Sequence, residues 1–378
     1  MKTSLLFLGS QMRVGGSQNI QLKLAQWFHN QGYQVVAAFF YDKDNLHETW
    51  QKSVSFPIVN LKAWDNSNDI VIKLFKLACG QIRLCRLIHC EKFSAILTFT
   101  HHSNLLGIPT ALLAGVPVRV ASHHGKILNI PHWQEKVHAW MINAGFSKCL
   151  VTVSKKVERN AISEGIRPKW LKTIYNGVEA PPDPIRNREQ VRLELGIQND
   201  VPIVVTVGRL TYQKAHAILL NSIPSVLKFF PNAHFLIVGD GPLYTILKLQ
   251  AESLEISNHV LFLGTRSDVY DILRSSDMFV LSSRFEGLPI ALLEAMSIGL
   301  PVISTRVEGV DEIIHNNEEG LLVGVENIND LANAIIDLLS NKAKRQKMGK
   351  AGKDRVSDGF SFEQMCHEYA KLLVTEES

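Results

Sequence analysis

The sequence predicts an α/β protein of two doubly wound, parallel-sheet, Rossmann-like domains. Three observations carry this. Short β-rich runs alternate with helical patterns almost from end to end, as in a series of βαβ units. Several of these runs are continuously apolar, Val35-Val36-Ala37-Ala38-Phe39-Phe40 among them, as a parallel sheet covered on both faces requires. Midway, Ala180-Pro181-Pro182-Asp183-Pro184 interrupts the alternation, because prolines so closely spaced fit neither a helix interior nor a central strand.

In the first half, strands are expected at 4–8, 34–40, 95–99, 118–121, 149–153 and 172–175, and helices at 17–31, 70–89, 132–143 and 155–163. The series restarts with strands at 203–207, 234–238, 260–263, 278–282 and 301–304. The expected division is a first domain at 1–180, a linker at 181–200, a second domain at 201–358, and a helix at 359–378 returning to the first. Such sheets take ligands beyond the carboxyl ends of their strands, so both domains should turn their loops toward a central cleft.

The 378 residues and ordinary apolar content suit two cores. Leu5-Leu6-Phe7-Leu8 is too short for a secretory h-region, and no uninterrupted apolar run has a membrane span's length. The expectation is a cytoplasmic protein. The five cysteines have no zinc spacing and no C-x-x-C, which fits free thiols. Residues 1–180 carry 21 Lys and Arg against 10 Asp and Glu, whereas 181–378 carry 19 against 26. A basic first half and an acidic second half suggest different partners.

Five constellations can carry chemistry. Glu286-Gly287-Leu288-Pro289 follows the strand Met278–Leu281 and leads into a helix whose one charge is Glu294. A carboxylate there can accept both hydroxyls of a ribose, and a helix N-terminus offers N–H groups to phosphate or sugar. An ordinary buried ion pair has the same spacing. Gly208-Arg209…Lys214 places two cations just past a strand, as a departing diphosphate needs, although surface cations in loops are common. Gly239-Asp240-Gly241 serves close ligand approach or a tight turn, and it lacks the full dinucleotide fingerprint. Gly15-Gly16-Ser17 can present N–H groups to a phosphate or form a plain βα turn. His123-His124 and His101-His102 each follow a strand. A neutral imidazole can bond a sugar hydroxyl, but no third ligand at useful spacing supports a metal.

Taken in order, these motifs closely resemble the family 4 retaining glycosyltransferases of the GT-B class. The resemblance also rests on Asn176-Gly177-Val178, Val260-Leu261-Phe262-Leu263-Gly264 and Leu300-Pro301-Val302-Ile303, and it spans nearly the whole chain. It implies that Arg209 and Lys214 bind the donor diphosphate, Glu286 the donor sugar and Glu294 the ribose. Gly16, with Gly15, would face the phosphates. Gly239, Gly241, Gly287 and Leu288 fall on the donor side, and Gly264 lies by the nucleobase. His124 matches the family's histidine near the donor sugar, with His123 the alternative; His101, His102 and His123 are acceptor-side candidates.

The implied activity is metal-independent, retaining transfer of a hexose or N-acetylhexosamine, with no cofactor and no nucleic-acid partner. The donor is a nucleotide sugar, UDP-linked in preference to GDP-linked. The acceptor is a glycan or lipid-linked molecule in surface polysaccharide, lipopolysaccharide or glycolipid assembly. A non-catalytic partner subunit, or a related synthase or epimerase, is the alternative. Ala215 stands where the family commonly has Gly, and alanine suits a helix start. On sequence alone, Lys214→Ala should cost orders of magnitude in turnover with little change in stability. Ile70 to Lys92 mixes Lys73, Lys76, Arg83 and Arg86 with large apolar residues. It reads as a core helix with a basic edge, or as a peripheral patch for anionic lipid at the inner membrane face.

Overall fold

The structure, a computed structural model, describes residues 3–64, 69–125 and 131–374. The chain divides into two compact units, 1–176 with 363–378, and 177–362. Residues 375–378 of the expected terminal segment lie outside the described residues.

The first unit runs β1 (Ser4–Met12), α1 (Gly16–Asn30), β2 (Gln34–Asp42), α2 (His47–Ser53), β3 (Ile58–Asn60), α3 (Ile70–Glu91), β4 (Ala95–Phe99), α4 (His101–Leu113), β5 (Val118–His123), α5 (His132–Asn143), β6 (Cys149–Thr152), α6 (Lys155–Ser163) and β7 (Leu171–Thr173). Its sheet order is β3-β2-β1-β4-β5-β6-β7, with parallel pairings throughout. The run Val35–Phe40 is buried along its length, as its lack of alternation demands. The strand at 58–60 was not expected; it is a three-residue edge with little pattern to read.

The second unit runs α7 (Arg188–Glu194), β8 (Ile203–Val207), α8 (His216–Leu227), β9 (His234–Val238), α9 (Tyr244–Ser253), β10 (Val260–Gly264), α10 (Val269–Ser275), β11 (Met278–Leu281), α11 (Ile290–Ser297), β12 (Val302–Thr305), β13 (Gly320–Val323), α12 (Ile328–Ser340) and α13 (Lys342–Gly359). Its order is β10-β9-β8-β11-β12-β13, again all parallel. The last helix, α14 (Phe362–Leu373), belongs to the first unit from Glu363 onward. There Glu368 pairs with Lys172 at 2.9 Å and the Leu372 carbonyl accepts from Lys148 Nζ at 3.0 Å.

Two expectations need correcting. The segment 181–200 is not all linker. Within it α7 is capped by Asn187 and Gln190 in a reciprocal box and packs in the second unit. Its Arg192 is fully buried, pairing with Asp277 at 2.9 Å and donating to the carbonyls of Ser275, Gln198, Asn199 and Val201. Helix α3 is neither wholly core nor wholly surface. Leu84 and Ile88 pack in the core, whereas Ile70, Val71, Leu74 and Phe75 are exposed.

Candidate active site

In a doubly wound sheet, the loops diverge where the strand order reverses, and the crevice there takes the ligand. In the second unit that point lies between neighbouring β8 and β11. The loops leaving these two strands carry the two motifs that sequence spacing singled out. They are laced together: Arg284 N–H donates to the Gln213 carbonyl at 2.8 Å, and Ser282 Oγ–H donates to the Lys214 carbonyl at 3.0 Å.

At their junction Lys214 Nζ lies 2.6 Å from Glu286 Oε1. Ser283 Oγ–H donates to the same oxygen at 2.6 Å, and Gln213 Nε2 approaches Oε2 at 3.4 Å. Glu286 is 7% exposed and Lys214 19%. Arg209 is half-buried two residues past the end of β8. Ser283 and Gln213 had no role in the sequence reading; the signal available was only that each adjoins a motif residue.

Glu294, expected as a buried carboxylate, is half-buried on α11. Its charge bears on Tyr270, whose pKa is pushed up to about 12 by burial first, then by Glu294. Gly287 and Leu288 form the approach to α11, whose N-terminal Pro289 provides no side-chain cap.

The glycines divide by geometry. A Cβ on Gly239 (φ 131°) would stand 2.1 Å from the Gly208 carbonyl oxygen, and one on Gly241 2.6 Å from that of Leu210. Their bareness lets the loop after β9 lie against the loop after β8. Gly264 (φ 63°) faces open space. Gly239→Ala should therefore cost about 3 kcal/mol or more, combining clash with left-handed strain. Gly264→Ala should cost about 1–2 kcal/mol, the backbone term alone. Denaturant unfolding of both variants checks this, and equal losses would contradict it.

Ala215 requires a correction. It does not merely start a helix: its backbone is left-handed, φ 48° and ψ 38°, so helix propensity is the wrong measure and glycine would fit without strain. The methyl is also buried. Ala215→Gly should leave the melting temperature nearly unchanged, as relieved strain offsets lost burial and added chain entropy. Ala215→Val should cost about 2–3 kcal/mol through branching at positive φ and overpacking. Thermal unfolding reads both.

The first unit reverses between β1 and β4. Gly15 is the extended N-cap of α1, with Gly16 the first helical residue, and no side chain caps that end. Beyond β4, Thr100 adopts φ 82°, a strained conformation for a β-branched residue, and its hydroxyl donates to Ser10 Oγ at 3.1 Å.

His101 and His102 then open α4, His101 buried and His102 exposed. His101 stacks edge-on with His138, centroids 4.7 Å apart. Its two ring nitrogens have no partner among the described residues. Burial, then the charges of His123 and His102, brings its pKa down to about 4. His138 Nε2 accepts from Asn104 Nδ2 at 3.2 Å, and burial, then His101 and His123, holds its pKa well below the usual range. His123 Nε2–H donates to the Gly125 carbonyl at 2.8 Å. His124 stacks on Phe99 and bonds Ser122 Oγ at 3.1 Å; burial, then His123, lowers it to about 3. These rings are neutral at pH 7, able to bond hydroxyls and not to carry charge.

Known proteins share this fold. The structure superposes on HepE of Anabaena, crystallised with UDP-glucose, with a TM-score of 0.84, 21% identity and coverage of 98% of this chain and 99% of that one. The fold is thus that of the GT-B glycosyltransferases, two parallel-sheet Rossmann-like units. The family model "Glycosyltransferase Family 4" matches residues 14–180 and "Glycosyl transferases group 1" matches 187–355. The UDP-Gal:alpha-D-GlcNAc-diphosphoundecaprenol alpha-1,3-galactosyltransferase of Escherichia coli is 30% identical over 80% of this chain and 81% of its own. The chain belongs to glycosyltransferase family 4. A second relative, the N-acetyl-alpha-D-glucosaminyl L-malate synthase of Bacillus anthracis, is 31% identical over 56% of each chain.

Proposed function

We propose that this glycosyltransferase moves a hexose or N-acetylhexosamine, with retention and without a metal, from a UDP-sugar to a lipid-linked glycan acceptor in surface-polysaccharide assembly. The observation that carries the reading is the Lys214–Glu286 contact of 2.6 Å, formed at the second unit's switch point. It sets a cation suited to a diphosphate beside a carboxylate suited to sugar hydroxyls, the carboxylate held also by the Ser283 hydroxyl.

In the reaction, the bond from C1 of the sugar to the β-phosphate oxygen breaks. Arg209 and Lys214 stabilise the negative charge that gathers on the departing nucleoside diphosphate. The acceptor oxygen bonds C1 from the same face and passes its proton to that diphosphate. Glu286 holds sugar hydroxyls and Glu294 the ribose. Gly15 and Gly16 offer α1 N–H groups to phosphate. His124, or His123, orients the sugar as a neutral bonding partner.

The lipid-linked acceptor is supported by the Escherichia coli relative's diphosphoundecaprenol substrate and by the exposed apolar start of α3 beside Lys73 and Lys76. Among the described residues, no helix is long and apolar enough to cross a membrane. Contact with the inner membrane face is therefore proposed as peripheral, and equal sedimentation with neutral and anionic vesicles would refute it.

The donor is tested by a thermal-shift panel of UDP-, GDP- and ADP-sugars. Stabilisation by UDP-sugars is expected, and stabilisation by none would favour a non-catalytic partner subunit. Product NMR should show the donor's anomeric configuration, with turnover unchanged in EDTA.

A further inference from the structure

A cavity of about 500 Å³ opens in the first unit where the carboxyl ends of β2 and β3 meet α3. Its size is that of a small-ligand site. Lys62, Lys76 and Arg83 line it. The acid in the lining, Asp42, has both carboxylate oxygens engaged by backbone, accepting from Leu46 N–H and His47 N–H at 2.9 Å each. Arg83 is held in place by donating to the Leu61 carbonyl at 2.8 Å. The wall is thus electropositive and partly preorganised. Tyr41 ties it to the switch-point strand β1, donating from its hydroxyl to Gln11 Oε1 at 2.6 Å.

The mouth has a different chemistry. Phe75 lines the cavity and is yet 68% exposed. From it the first turns of α3 continue as exposed Leu74, Val71 and Ile70. A flat bilayer would cover these residues but leave the concave cationic wall empty, and a free anion would fill the wall but leave the apolar turns wet. A molecule joining a compact polyanion to a hydrocarbon chain covers both.

We propose that this pocket binds the diphosphate of a lipid-diphosphate acceptor, with the start of α3 carrying the first part of its chain. This rests on the lipid-linked acceptor reading above. It adds the place where the acceptor is gripped, and makes Lys62 and Lys76 specificity residues.

The test uses the full chain and farnesyl diphosphate as probe, by calorimetry below its aggregation limit, with UDP present to occupy the donor site. Wild type should bind the probe at least tenfold tighter than inorganic diphosphate or farnesol. The double variant Lys62→Glu/Lys76→Glu should lose at least tenfold in probe affinity, with its circular dichroism and melting temperature retained. Phe75→Ser should lose farnesyl diphosphate affinity and keep that for inorganic diphosphate, and Lys214→Ala should bind the probe like wild type. Undiminished binding by the double variant would overturn the proposal. Inorganic diphosphate binding as tightly as the probe would do so too, marking a simple anion site. Loss of vesicle binding by the double variant without loss of probe binding would indicate a membrane surface instead. Probe binding needs no sugar transfer, so failure of the donor panel and failure here are read separately.

Discussion

Lys214→Ala is expected to reduce turnover about 10²–10³-fold, the usual loss when one preorganised group that stabilises developing charge is removed. On the proposed role, in which Lys214 meets charge that appears as the diphosphate leaves, the fall should lie in kcat at saturating donor and acceptor. Stability should fall as well, contrary to what sequence alone suggests. Removing the ammonium leaves Glu286, 7% exposed, without its cation. Breaking a buried pair costs about 3–5 kcal/mol. Here the carboxylate keeps the Ser283 hydroxyl at 2.6 Å, and Lys214 itself is partly solvated, so about 1–2 kcal/mol is the expected loss. Steady-state kinetics with urea unfolding separates the effects. Near-normal turnover in a folded variant would refute the diphosphate role.

The alternating apolar runs revealed both sheets because parallel strands buried on two faces leave a continuous apolar signature. What stayed hidden had a weak or competing signal. Ile58-Val59-Asn60 is too short to show a period, and Gly320-Leu321-Leu322-Val323 begins on a residue that reads as a turn. The Asn187…Gln190 capping box was present in the sequence, but the prolines just before it suggested an unstructured joint. Arg192 could not have been placed in a core, since its burial depends on carbonyls distant along the chain. Among candidate site residues, Arg209, Lys214 and Glu286 stood out because their residue types and strand-end positions suit one chemistry. The contact between Lys214 and Glu286 was not, because it follows from β8 and β11 being neighbours across the switch point. Ala215 was misread because positive φ is a property of the folded turn and not of alanine.

The first unit should lose stability steeply between pH 6.5 and 4. His101 titrates at 6.5 when unfolded and about 4 when folded. The unfolded chain therefore binds more protons across that window, so stability rises with pH: full above 6.5, and drained as pH falls toward 4. At about 1.4 kcal/mol per pKa unit, His101 alone accounts for about 3 kcal/mol. His101 is 1% exposed and its ring nitrogens have no partner among the described residues, so water cannot easily solvate the imidazolium. His102, His123, His124 and His138, also lowered, steepen the slope. The six tryptophans all precede residue 177, so their fluorescence reports this unit alone, clear of His216 in the other. Urea midpoints followed by tryptophan emission from pH 7.5 to 4.5 should fall sharply in wild type. His101→Leu, which trades an unpaired imidazole for an apolar group of similar size, should cost little at pH 7.5 and flatten the acid limb by about 3 kcal/mol. An unaltered slope in that variant would show that the titration lies elsewhere in the unit.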